Sequence, residues 1–171
     1  MKSSIHNIFF NEEGCLENKI HKMNLNEFEE LFSKNKSDRR KYIMGQYKPY
    51  LRKLLETGYV LKHWINGSFV TLKEKPNDID TFTELDGIKV DEDEKHDEIQ
   101  RLIEFSRYWT DNCCHSLGVF YYPKEYEKEY DSYMYTKTTT LEILFANNKE
   151  TNNPKGFVEL NLFEGGELDD I

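Results

Sequence analysis

Long apolar runs are missing from this chain, and so is an overall excess of positive charge. Only 37% of its 171 residues are apolar and the mean hydropathy is −0.80. No segment approaches the roughly 18 to 20 apolar residues that a membrane span requires. The start, Met1-Lys2-Ser3-Ser4-Ile5-His6, lacks the apolar core of a secretory signal, so the expectation is a cytoplasmic protein with no membrane partner. Cysteine is scarce and odd in number: Cys15, Cys113 and Cys114 read as reduced, buried thiols, not a disulfide framework. No internal repeat or linker is visible. What the chain does have is aromatic material, 11 Tyr, 11 Phe and 2 Trp, which disordered sequences lack. Its length favours one domain with a real core.

The formal charge of −9 hides a polarity. Lys34, Lys36, Arg39, Arg40, Lys41, Lys48, Arg52 and Lys53 share their stretch with one acid, Asp38, giving +7 and leaving −16 for the rest. Net acidity argues against broad duplex DNA binding, which needs many phosphate-neutralising cations. The basic stretch is either a solvated helix face or a local site for an anionic acceptor.

Periodicity predicts mixed helices and strands around a small sheet, an α+β fold with α/β character. Residues 1–23 show no clear period and read as irregular. A short helix is expected over Asn24–Phe32, with Asn24 as its cap. A longer one is expected from Ser37 to about Glu56, ended by Gly58 and kinked or broken at Pro49. Together these make residues 1–57 a mainly helical arm, before a core over 58–163 and an acidic tail over 164–171. Strands are predicted at Tyr59–Ile65, Asp78–Leu85, Ser116–Tyr122 and Phe157–Leu162. A helix is predicted from about Asp91 to Trp109, and Leu141–Phe145 leans to helix.

The informative segment is Gly67-Ser68-Phe69-Val70-Thr71-Leu72-Lys73-Glu74-Lys75-Pro76-Asn77-Asp78-Ile79-Asp80. Gly67-Ser68 directly after a strand lets the backbone approach a phosphate with no Cβ in the way, and Ser68 adds a hydroxyl. Asp78 and Asp80, two apart on a strand, project from one face. Paired carboxylates repel unless a cation lies between them, and Mg²⁺ commonly takes one or two carboxylates plus water and substrate phosphate. A phosphate cradle beside a metal site supplies the two parts of phosphoryl transfer, charge neutralisation and in-line positioning. Lys73 and Lys155 are long enough to reach triphosphate oxygens. Cys113-Cys114-His115, being consecutive, lacks zinc-site spacing. The tyrosines 126, 130, 133 and 135 read as half-buried helix packing, with base stacking as the alternative.

This segment resembles the signature of polymerase-β-like nucleotidyltransferases: Gly-Ser, about nine to thirteen residues, then acid, apolar, acid. It is most similar to compact bacterial and phage-borne members with the wording Gly-Ser-Phe-Val-Thr-x-Lys-x-x-Pro-Asn-Asp-φ-Asp, where φ is apolar, matched here at every specified position. Weaker similarity extends to Ile20-His21, Glu27-Phe28, Arg39-Arg40, Tyr122-Pro123 and Pro154–Val158. The resemblance implies that Gly67 and Ser68 hold the phosphates of a nucleoside triphosphate, beside which Lys73 is a nucleotide-binding candidate whose default is a solvent-facing lysine. Asp78 and Asp80 would bind the activating Mg²⁺ or Mn²⁺, and the acceptor would be a protein, an RNA or a small-molecule hydroxyl. It also implies a third carboxylate on a later strand, aligned with Ser116–Pro123 and most closely with Gly118, where this chain has no acid. Glu159, on the polar side of the last strand, is the candidate replacement, ahead of Glu142 and Asp111. Without one, the resemblance implies a degenerate binding or regulatory protein of a toxin–antitoxin or phage-defence setting.

Overall fold

The computed structural model describes residues 10–162; the expected acidic tail lies outside them. Five strands form one mixed sheet in the order β1-β5-β2-β3-β4. They are β1 (Ile20–Met23), β2 (Val60–Asn66), β3 (Ile79–Asp86), β4 (Cys114–Tyr121) and β5 (Phe157–Leu160). β2 is antiparallel to both β3 and β5, whereas β3–β4 and β1–β5 are parallel. The α+β expectation therefore stands.

Alternation sorts the strand residues onto two faces. One carries His63, Ile65, Ile79, Leu85, Cys114 and Val158, and it packs on helices α1 (Leu25–Glu29) and α2 (Asp38–Glu56) and on α4 (His96–Glu104). The other carries Trp64, Phe82, Val119 and Phe157. It is covered by α6 (Glu127–Thr138), which continues as a π-helical turn over Thr139–Phe145. Leu141–Phe145 is thus helical, as the pattern leaned. Glu84 anchors α6: its buried carboxylate accepts from Tyr133 Oη at 2.8 Å and Lys137 Nζ at 2.5 Å. Of the tyrosine series, Tyr133 is buried, whereas Tyr126 and Tyr135 are exposed.

The helix starts follow from their caps. Asn24 accepts from the Glu27 amide while the Glu27 carboxylate accepts from the Asn24 amide, a reciprocal capping box. Ser37 caps α2, which runs through Pro49 without a break, and Gly58 follows with φ +73°. Three expectations change. Residues 1–23 are not all irregular: Ile20–Met23 forms β1, with His21 and Met23 facing inward, so this part of the arm belongs to the sheet. The helix expected over 91–109 is three pieces, α3 (Gly87–Glu92), α4 and α5 (Ser106–Trp109). Glu94 at φ 54° separates the first two, and the turn at Phe105 throws Phe105 and Tyr108 outward. The last strand stops at Leu160, two residues early.

Candidate functional site: the Gly67–Asp80 corner

β2 ends at Asn66, paired with Asp80 near the start of β3. Between them the chain leaves at Gly67 (φ +80°), makes one 3₁₀ turn over Ser68–Val70 and returns through Pro76-Asn77. Phe69 and Val70 are fully buried and fix that turn to the core. The loop is also held from outside. Arg40, buried on α2, donates to the carbonyls of Phe32, Phe69, Thr71 and Lys73 over 2.6–3.0 Å. Arg39 donates to the carbonyls of Pro76 and Asn77. The Leu72 amide donates to the Gly14 carbonyl.

The two halves of the motif meet. A Cβ built on Gly67 would lie 2.2 Å from Asp80 Oδ2, so the carboxylate occupies the space that any side chain at 67 would need. Positive φ and close approach both require glycine here. Around Asp80 stand His115 Nδ1 at 3.5 Å and Lys149 Nζ at 3.9 Å. Lys155 lies behind them, only 6% exposed, donating to Asn66 Oδ1 at 2.8 Å. Burial depresses its pKa, and the opposing pull of Cys15 and Asp80 does not cancel that effect.

Asp78 sits just before β3 and is held by Arg107 of α5 at 3.1 Å. Ser68 is partly exposed, with its carbonyl accepting from the Thr71 hydroxyl, and the side chain of Lys73 is exposed. Glu159 shares the sheet face of Asp80 but lies one row along, opposite Trp64. It accepts from the Trp64 indole at 2.8 Å and pairs with Lys22 at 3.0 Å. Burial pushes its carboxyl up, but Lys22, Trp64 and Lys62 outweigh that and hold it below the ordinary value.

Parity settles what stands beside Asp80 on β4. The register pairs Asp80 with His115 and Phe82 with Leu117, so those two face the site. Gly118 faces the other way, where a Cβ would lie 2.5 Å from Ile103 Cδ1. An acid at 118 would enter the core. Among the described residues, no group of three or more His, Cys, Asp or Glu side chains is placed to hold a metal. Of the residues singled out for cation and phosphate, Asp78 is paired with Arg107, Asp80 stands beside His115 and Lys149, and Ser68 is partly exposed.

Sequence reasoning missed Asn66, His115, Lys149 and Arg107. It named Lys155 without foreseeing its burial. The signal available was Pro-Lys-Gly just before a strand: a Cβ at Gly156 would lie 2.0 Å from the Glu17 carbonyl, so the chain ahead of β1 seals this spot. All three cysteines are free and buried.

Residues 8–161 match a family described as a family of unknown function, DUF6932. The chain belongs to that family. No curated protein and no solved structure matches it. Within this DUF6932 chain no helix of the described residues is long and apolar enough to cross a membrane.

Proposed function

We propose that this protein binds a nucleoside triphosphate with one divalent cation, Mg²⁺ or Mn²⁺, at the corner where Gly67-Ser68 meets Asp80. The observation that carries the reading is the Asp80 carboxylate lying against the Cα of Gly67. It supports a phosphate cradle and an acid standing side by side, as phosphoryl transfer needs. Asp78 and Asp80 would hold the cation, which would neutralise triphosphate charge. Gly67 and Ser68 would offer backbone and hydroxyl donors, and Lys149 and Lys155 would add positive charge at the rim and the wall. In the full reaction an acceptor hydroxyl oxygen, on a protein, an RNA end or a small molecule, bonds to the α-phosphorus. Pyrophosphate leaves with the bond's electron pair, and the hydroxyl proton passes to a base.

A second reading is favoured by one specific observation. His115 and Leu117 occupy the β4 positions facing the site, and Glu159 is engaged by Trp64 and Lys22. Among the described residues hydroxyl activation then has no third carboxylate, and in this reading the protein binds nucleotide without turnover, as a regulatory partner in a toxin–antitoxin or phage-defence setting.

Calorimetry with the four triphosphates, each with and without Mg²⁺ or Mn²⁺, tests the shared core of both readings. Wild type should bind at least one in a metal-dependent way, and Asp78→Ala and Asp80→Ala should weaken it tenfold or more. Equal binding by the variants, or none by wild type, removes the proposal. Transfer of label from an α-labelled triphosphate to protein or RNA then separates enzyme from binder.

A further inference from the structure

Half of the basic stretch over 34–53 is engaged within the fold: Arg40 is buried on carbonyls, and Lys34, Lys41 and Lys48 pair with Glu30, Asp38 and Glu29. Of the others, Lys53 and Arg39, the latter also donating to the Pro76 and Asn77 carbonyls, lie against exposed aromatic rings. Arg39, Tyr42 and Lys53 lie along one stripe of α2, spaced for a single helix face. Lys53 Nζ lies 3.9 Å from the centre of the Trp109 ring, and the Arg39 guanidinium lies 5.7 Å from that of Tyr42. Tyr42 Oη donates to Asp111 at 2.6 Å, joining α2 to the turn after α5. On α5 itself Tyr108 is 80% exposed and Trp109 48%, edge to face with each other. Between them and the motif stands Arg107, bound to Asp78.

Tyr108 and Trp109 are exposed side by side, whereas the other tryptophan, Trp64, is buried. Their interleaving with cations, contiguous with a carboxylate of the phosphate corner, matches the chemistry of single-stranded nucleic acid: rings stack on bases and cations follow the backbone. We propose that Arg39, Tyr42, Lys53, Arg107, Tyr108 and Trp109 form a platform for single-stranded RNA leading to the Gly67–Asp80 corner. This deepens the nucleotidyltransferase-type reading by giving its acceptor a surface. The platform is short and carries three cations, so it takes a few unstacked nucleotides and not a duplex. Its salt dependence is correspondingly shallow, with a slope of log K against log salt near −2.

The test is titration of the whole protein with a fluorescent ~12-nucleotide single-stranded RNA and with the matching duplex, read by anisotropy and by quenching of tryptophan emission. Expected are preference for the single strand, quenching of the exposed Trp109, and at least tenfold weaker binding by Trp109→Ala and by Tyr108→Ala. Tyr108→Ala removes an almost fully exposed ring and keeps the test clear of folding effects. No binding at low salt, equal or tighter binding of the duplex, or unchanged binding by both variants overturns the platform. Asp80→Ala lies outside the platform and should leave RNA binding in place while removing triphosphate binding, so the two proposals fail separately.

Discussion

Gly67 is the residue on which the corner depends. Alanine there must adopt a φ of +80° and share space with Asp80 Oδ2. Gly67→Ala should therefore cost about 1–3 kcal/mol of stability in urea unfolding and weaken triphosphate binding by displacing the carboxylate. Wild-type stability in this variant would contradict the geometry. His63 offers a second test, away from the corner. It is fully buried, between Tyr47 Oη at 2.7 Å and the Thr83 hydroxyl at 2.8 Å, and burial lowers its pKa to about 3. Above pH ~6.5 the imidazole is neutral in both folded and unfolded chains. Below that, the unfolded chain takes up a proton that the native state refuses. Stability should therefore fall as pH drops from ~6.5 towards 3, by at most about 1.4 kcal/mol per pH unit. Thermal melting at pH 7 and pH 5 should show this fall, and His63→Gln should show a smaller one.

Among elements, α2 does more than cover the sheet. Through Arg40 it holds the carbonyls of the loop joining β2 to β3, a planar fork on fixed acceptors that lysine cannot reproduce. Arg40→Lys should keep the charge, loosen residues 69–73 and raise their amide exchange in hydrogen–deuterium experiments, while amides of β3 stay protected. Much of this element structure was legible. Asn24 and Ser37 announce helix starts because capping is local chemistry, and the spacing from Gly67-Ser68 to Asp80 survives as a real contact. The failures are non-local. β1 has four residues, one of them an inward-facing histidine, and becomes a strand only because β5 pairs with it. Gly118 was assigned to the site by alignment, but strand parity, set by the Asp80–His115 register, sends it to the opposite face. Lys155 looks like any solvent-facing lysine until Asn66 and the chain ahead of β1 enclose it.

At the scale of the molecule, the segment before α1 is part of the fold. Leu16 and Cys15 are buried, Glu13 accepts from Asn148, Thr151 and Asn153, and the Gly156 amide donates to the Leu16 carbonyl. Deleting residues 1–23 would expose the outer edge of β5 and unseal Lys155. The expected result is a lower melting temperature and self-association in size-exclusion chromatography, since an uncovered strand edge is a template for pairing. A truncated chain that melts like the full one would show that β1 is an accessory.

The strand order also dictates when folding can happen. β5, the last strand among the described residues, lies between β1 and β2 and contacts both. During synthesis β1, β2, β3 and β4 leave the ribosome with a gap in their sheet, and Trp64, Ile65 and Met23 wait for a partner made more than 90 residues later than Trp64. Sheet closure thus waits for a segment distant in sequence and is an event of high contact order. Chains stalled before residue 157 should be protease-sensitive and attractive to chaperones, and native protection should arrive only once β5 has emerged.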